Sequence, residues 1–214
     1  MILTPIPSDR FETTLQRFAD SLSAESRAVF LRLAIPATAA RASGSTRIKN
    51  DLESIDFITT FAVHIKSGSP RLDVSWNGES LRGGTEAYVL LHELAHWQLA
   101  PPARRRLVDF GLGPGPETGD VESALRVQCV FGLEREREEA MASLLGILWE
   151  VELGHPALAS FLDQNWLEGA LDPARLPRAA AHFTSVLGML RDVGLVDADC
   201  RPCRYWLGAD RDAA

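Results

Sequence analysis

The chain has 214 residues, 46% of them hydrophobic and 24% charged, and carries a net charge of −7. That length can bury one substantial core, and the acidic balance argues against a general nucleic-acid binder. No apolar run reaches membrane-spanning length, Met1-Ile2-Leu3-Thr4-Pro5 lacks a basic segment followed by an apolar core, and three cysteines build no disulfide framework. The expectation is a cytoplasmic protein without membrane or direct nucleic-acid partners.

In chain order, Asp9 and Glu12 mark a helix start, and Phe11, Leu15 and Phe18 supply its apolar stripe. A second helix covers Ala24–Ala34 and ends before Pro36, whose ring disfavours a helical residue ahead of it. Small and polar residues over 39–50 read as a loop. Residues 57–65 and 72–76 are rich in β-branched and aromatic side chains, and the turn signal Ser67-Gly68-Ser69-Pro70 between them predicts a hairpin. Gly83-Gly84-Thr85 opens the next helix, with Thr85 as its N-cap, and Pro101-Pro102 closes it. Residues 111–116 alternate glycine and proline too densely for helix or central strand. Residues 134–153 are strongly helical, Gly154-His155-Pro156 interrupts them, and Asp172-Pro173 forms an N-cap and first-turn pair for a last helix reaching Val193. Without repeats or a linker, the pattern is one α+β domain over residues 1–214, mostly helical with a small sheet.

The densest chemistry is His92-Glu93-Leu94-Ala95-His96, set in an apolar helical run. Histidines four apart stand one above the other on a helix, so both imidazoles can reach one ion. Glu93 lies about 100° around the helix from His92, beside an open coordination position where it could carry a proton. The alternative, a structural histidine pair in a core helix, leaves costly polar groups to be satisfied.

A catalytic metal usually takes three protein ligands. A histidine six residues beyond His96 is excluded because Pro102 stands there. A carboxylate from the later helix is the remaining common solution. Glu139, Ala142, Ser143 and Gly146 share one face, and those small residues let the helix approach closely with Glu139 pointing into the gap. Glu136, one turn earlier, is the second choice, and charge runs of this kind are otherwise solvated faces. Asp109 either caps the Phe110-Gly111 turn or orients a ligand histidine. Arg104-Arg105-Arg106 is the one dense basic patch, a solvated face or a dock for an acidic partner. His64, His155 and His182 stand alone. Cys200-Arg201-Pro202-Cys203 has metal or redox spacing but no second pair, and Cys129 reads as core.

The segment His92-Glu93-Leu94-Ala95-His96-Trp97, followed by Ala103-Arg104-Arg105-Arg106-Leu107-Val108-Asp109-Phe110-Gly111, resembles the bacterial elongation factor P hydroxylase family. The resemblance is tight over residues 92–111 and loose through 134–154. It implies a zincin-like site used for oxygenation, with the modified lysine of elongation factor P as substrate. It makes His92 and His96 metal ligands, Glu93 the adjacent carboxylate and a downstream glutamate the remaining ligand. Three function classes follow: a metal-dependent protein hydroxylase, a zinc hydrolase with Glu93 as general base, and a fold holding a structural metal. Two histidines and a carboxylate suit iron and zinc alike.

Overall fold

The structure is a computed structural model that describes residues 6–34, 41–66, 74–115 and 118–203. It is mostly helical with one small sheet, as an α+β pattern requires. The helices are α1 (Phe11–Ser21), α2 (Ala24–Ala34), α3 (Gly44–Thr59), α4 (Ala87–Leu99), α5 (Val121–Arg126), α6 (Gly132–Leu153), α7 (Ala157–Asp163) and α8 (Leu176–Asp192). No helix among the described residues is long and apolar enough to cross a membrane.

The central helix α4 is apolar on two sides. Leu91 and Ala95 enter a large helical core with α1, α2, α6, α7 and α8, while Leu90 and Leu94 enter a second cluster with Ile58, Trp76, Leu81 and Phe110. A helix hydrophobic on more than one face belongs inside a fold. The third side of α4 carries His92, Glu93 and His96 to a cleft. The larger core is organised by Phe18, Phe30, Phe161 and Phe183, whose rings lie 4.9–6.0 Å apart. All four are buried, each contributing roughly 2 kcal/mol of apolar transfer energy.

Two expectations fail around residue 57. Residues 44–50 are helical, and residues 57–59 continue α3 in place of a strand. The β-branched run is overridden by a helical face in which Asn50, Ser54 and Ile58, four apart, are buried. Phe57 in the last turn of α3 and Phe61 just beyond it close on the Trp149 ring of α6, at 4.7 and 5.9 Å. Among the described residues no hairpin forms either. Strand β1 (His64–Lys66) pairs in parallel with β2 (Ser80–Arg82), register His64↔Ser80, and Trp76 contributes an antiparallel bridge to Leu81. The predicted turn at 67–70 lies outside the described residues.

The caps are also displaced. Helix α4 begins after Glu86, and Thr85 gives no cap; its hydroxyl is buried without a partner. Instead the Ala87 N–H donates to the Asp51 carboxylate of α3 at 2.8 Å. A tertiary carboxylate thus satisfies a first-turn donor that a local side chain usually takes. Asp172 accepts from the Ala174 N–H in a turn, and α8 starts later, at Leu176 with Pro177 in its first turn.

Candidate metal centre

Helix α6 crosses α4 at His92. A Cβ on Gly146 would lie 3.1 Å from His92 Cα and 3.2 Å from its nitrogen, so glycine is what lets the helices approach this closely. Two turns earlier on the same face, Glu139 meets both histidines. Its Oε2 lies 3.7 Å from His92 Nε2 and 3.4 Å from His96 Nε2, and the two Nε2 atoms are 3.1 Å apart. A tetrahedral ion with bonds of ~2.0–2.1 Å would hold its donors ~3.3 Å apart, so this triangle is already of coordinating size. His92, His96 and Glu139 are the one such group among the described residues. The donor set, two imidazoles and a carboxylate, suits zinc or iron.

The rest of the predicted set falls elsewhere. Glu136 is exposed at the cleft and outside the triangle. Asp109 is buried and makes no hydrogen bond to either histidine. Its Oδ1 accepts from the Ser75 and Trp76 N–H groups at 3.1 and 3.2 Å, and its Oδ2 from the Thr118 hydroxyl at 2.7 Å. It therefore clasps loops together. The strain this bears is visible in left-handed backbone at Asp109 and Phe110, φ 43° and 55°. The basic patch is divided. Arg104 is bound to Glu138 and the Phe110 carbonyl, Arg105 lies 3.9 Å over the Trp97 ring, and Arg106 alone of the three is exposed.

His64 is exposed on β1, and buried His155 faces Glu53 of α3 at 3.5 Å, so neither reaches the triangle. His182 lines the cleft, stacked on Trp166 at 5.3 Å. Cys129 is exposed, contrary to its core reading, because it lies in the irregular stretch between the short α5 and α6. Cys200 and Cys203 are free thiols; buried Cys200 accepts from the Arg191 guanidinium at 2.8 Å, away from the histidines.

Glu138 is the residue the sequence reasoning missed. Its Oε1 stands 3.9 Å from His96 Nδ1, and its Oε2 accepts from Arg104. The signal was present, since Glu138 precedes Met141, Ala142 and Leu145 at i+3, i+4 and i+7, all buried.

Burial and charge oppose each other throughout the site. Desolvation acts to lower the His96 pKa, yet the Glu138 and Glu139 carboxylates outweigh it and hold the imidazolium up to about 10. Burial pushes Glu139 upward, but hydrogen bonding and charge from both histidines leave it well below the usual carboxylate range. Glu93 goes the other way. Desolvation at the cleft floor raises it, only partly offset by the two histidines, and the Asp109 and Glu139 charges raise it further. A carboxyl pushed upward by burial beside a carboxylate pushed downward by its histidines is the pattern of divided acid and ligand roles.

The cleft encloses about 1310 Å³. It runs from His92, Glu93 and Glu139 past Ser143 to Trp166, whose indole N–H donates to the Ser143 hydroxyl at 2.8 Å. That volume exceeds what small-molecule pockets usually enclose (~300–1,000 Å³) and has room for part of a polymer. Compared with family models, curated proteins and solved structures, the chain finds no match.

Proposed function

We propose that this protein is a zincin-like, metal-dependent enzyme acting on a side chain of a protein substrate in the cytoplasm, and that its reaction is hydroxylation. The observation that carries the metal reading is the triangle of His92 Nε2, His96 Nε2 and Glu139 Oε2, with edges of 3.1, 3.4 and 3.7 Å, at the floor of a large cleft. Hydroxylation in preference to cleavage is supported by the resemblance of residues 92–111 to the elongation factor P hydroxylases, which makes elongation factor P the first substrate to test. A bound ion would supply redox chemistry as iron or Lewis acidity as zinc.

The chain's own residues do the rest. Glu93 holds or moves a proton at the cleft floor, where burial shifts its pKa upward. Glu139, kept ionised, supplies the negative donor that two neutral imidazoles lack. Trp166, pinned to Ser143, walls the cleft that positions the substrate.

A second reading, a zinc hydrolase with Glu93 as general base, is favoured by one observation: a desolvated carboxyl immediately beside the first ligand histidine. Incubating iron-loaded and zinc-loaded protein with elongation factor P and with unfolded peptides, supplied with dioxygen and a reductant, separates the two. Iron-dependent gain of one oxygen atom by mass spectrometry supports hydroxylation. Zinc-dependent cleavage without oxygen gain overturns it and promotes the hydrolase.

A further inference from the structure

We infer that Glu138 and Arg104 form a positioning pair that fixes the tautomer and ring orientation of His96, and that this is the physical role of the arginine and Phe-Gly segment following the metal helix. The inference rests on the metal reading above and concerns residues outside the proposed ligand set.

His96 is 4% exposed, and its Nδ1 is fully buried with no hydrogen-bond partner at normal distance. Glu138 Oε1 is buried in the same state, and the two atoms face each other at 3.9 Å. A buried ring nitrogen and a buried carboxylate oxygen, each otherwise orphaned, are complementary. Each would cost free energy alone, and a small ring movement joins them. With Nδ1–H directed at Glu138, the neutral ring that a metal requires must carry its lone pair on Nε2, the atom that faces His92 and Glu139. The carboxylate therefore selects the tautomer able to hold a metal and makes that nitrogen more basic.

Arg104 is what keeps Glu138 in place. Its Nη2 donates to Glu138 Oε2 at 2.5 Å, and its Nη1 to the Phe110 carbonyl at 3.1 Å. The Phe110 ring is stacked on His96, at 5.9 Å and 24°, and on Trp76, at 5.3 Å and 11°. One guanidinium thus holds the carboxylate below His96 and the aromatic ring beside it. The αL turn at Asp109 and Phe110, clasped by Ser75, Trp76 and Thr118, aims that ring. Arg104, Asp109 and Phe110 all come from the segment that follows α4, so its residues support a ligand without being ligands. Lysine would bring a single ammonium nitrogen where Arg104 brings two separate ones, each to its own acceptor.

The test uses the full chain and zinc alone. Dissociation constants from chelator competition are compared for wild type, Glu138→Ala, Glu138→Gln and Arg104→Gln, with melting curves to show that each is folded. Nitrogen-15 NMR of labelled histidine reads which His96 nitrogen carries the proton in the zinc-loaded protein. Glu138→Ala should weaken zinc binding roughly 10–100-fold. Glu138→Gln, whose amide oxygen still accepts from Nδ1–H, should recover most of that loss, and Arg104→Gln should fall between. The proton should reside on Nδ1 in wild type. A folded Glu138→Ala protein with unchanged zinc affinity overturns the inference while leaving the metal reading intact. So does Glu138→Gln as weak as the alanine variant, or a proton on Nε2. A wild-type chain that takes up no zinc overturns both.

Discussion

Replacing Gly146 with alanine tests whether the approach of α6 to α4 sets the geometry of the site. Judged by helix propensity alone, the change should stabilise the protein by ~1 kcal/mol. The new Cβ, however, would stand 3.1 Å from His92 Cα, 3.2 Å from His92 nitrogen and 3.3 Å from the Leu91 carbonyl carbon. Optimal separations between such atoms are ~3.5–4.0 Å, so α4 must retreat by about half an ångström. All three contacts are backbone and no side chain can rotate away, which puts the change among overpacked cores costing ~1–3 kcal/mol. Net destabilisation of about 1 kcal/mol is expected from urea unfolding, after subtracting the propensity gain. His92 travels with α4 while Glu139, on α6, does not follow equally. A misplacement of about half an ångström is enough to degrade a preorganised site, and zinc affinity should fall about tenfold. A Gly146→Ala protein about 1 kcal/mol more stable than wild type, with unchanged zinc affinity, would refute the close crossing at His92.

Glu93→Gln keeps the shape and removes the carboxyl; it should bind metal normally and lose activity ~10²-fold or more, and undiminished turnover would demote Glu93 to a structural neighbour. Zinc binding to the metal-free protein at pH 7 should release about one proton from His96, whose imidazolium is held up to about 10; calorimetry in buffers of different ionisation enthalpy counts it, and zero release contradicts the charge state. Glu150, 2% exposed, is pushed up to about 7 by burial, although the Ser160 hydroxyl and Arg41 oppose the shift. A carboxyl whose folded pKa exceeds its unfolded 4.5 contributes stability that is fully present below pH 4.5 and lost as the pH rises through 7. Glu150→Gln should remove that dependence and, by pH 8, gain at most about 3 kcal/mol over wild type; parallel stability curves from pH 5 to 8 would contradict it.

What the sequence made legible was local and periodic. The i, i+4 histidines on α4 and the small-residue face of α6 located the triangle, because both are properties of single helices. The 24–34 helix was read with the bounds it has, its end set by Pro36. What failed was decided by other parts of the chain. Residues 57–61 have the composition of a strand, but the Trp149 ring and the buried Asn50, Ser54 and Ile58 face make 44–59 a helix. Thr85 was a sound local cap, yet Asp51, 36 residues from Ala87, takes the Ala87 donor. Glu138 was hidden by its neighbours, since an acidic run reads as solvated until one knows that Arg104 and His96 lie across from it. Asp109 was left between two roles that only its Ser75, Trp76 and Thr118 partners separate.

X-ray absorption at the zinc edge of the metal-loaded protein tests the triangle most directly, with wild type measured beside Glu139→Gln. Wild type should show two imidazoles and further oxygen donors at ~2.0–2.1 Å with no sulfur, and Glu139→Gln should bind zinc more weakly. A sulfur shell at ~2.3 Å would place the ion at Cys200 and Cys203, and a shell without imidazoles would contradict a site at His92, His96 and Glu139.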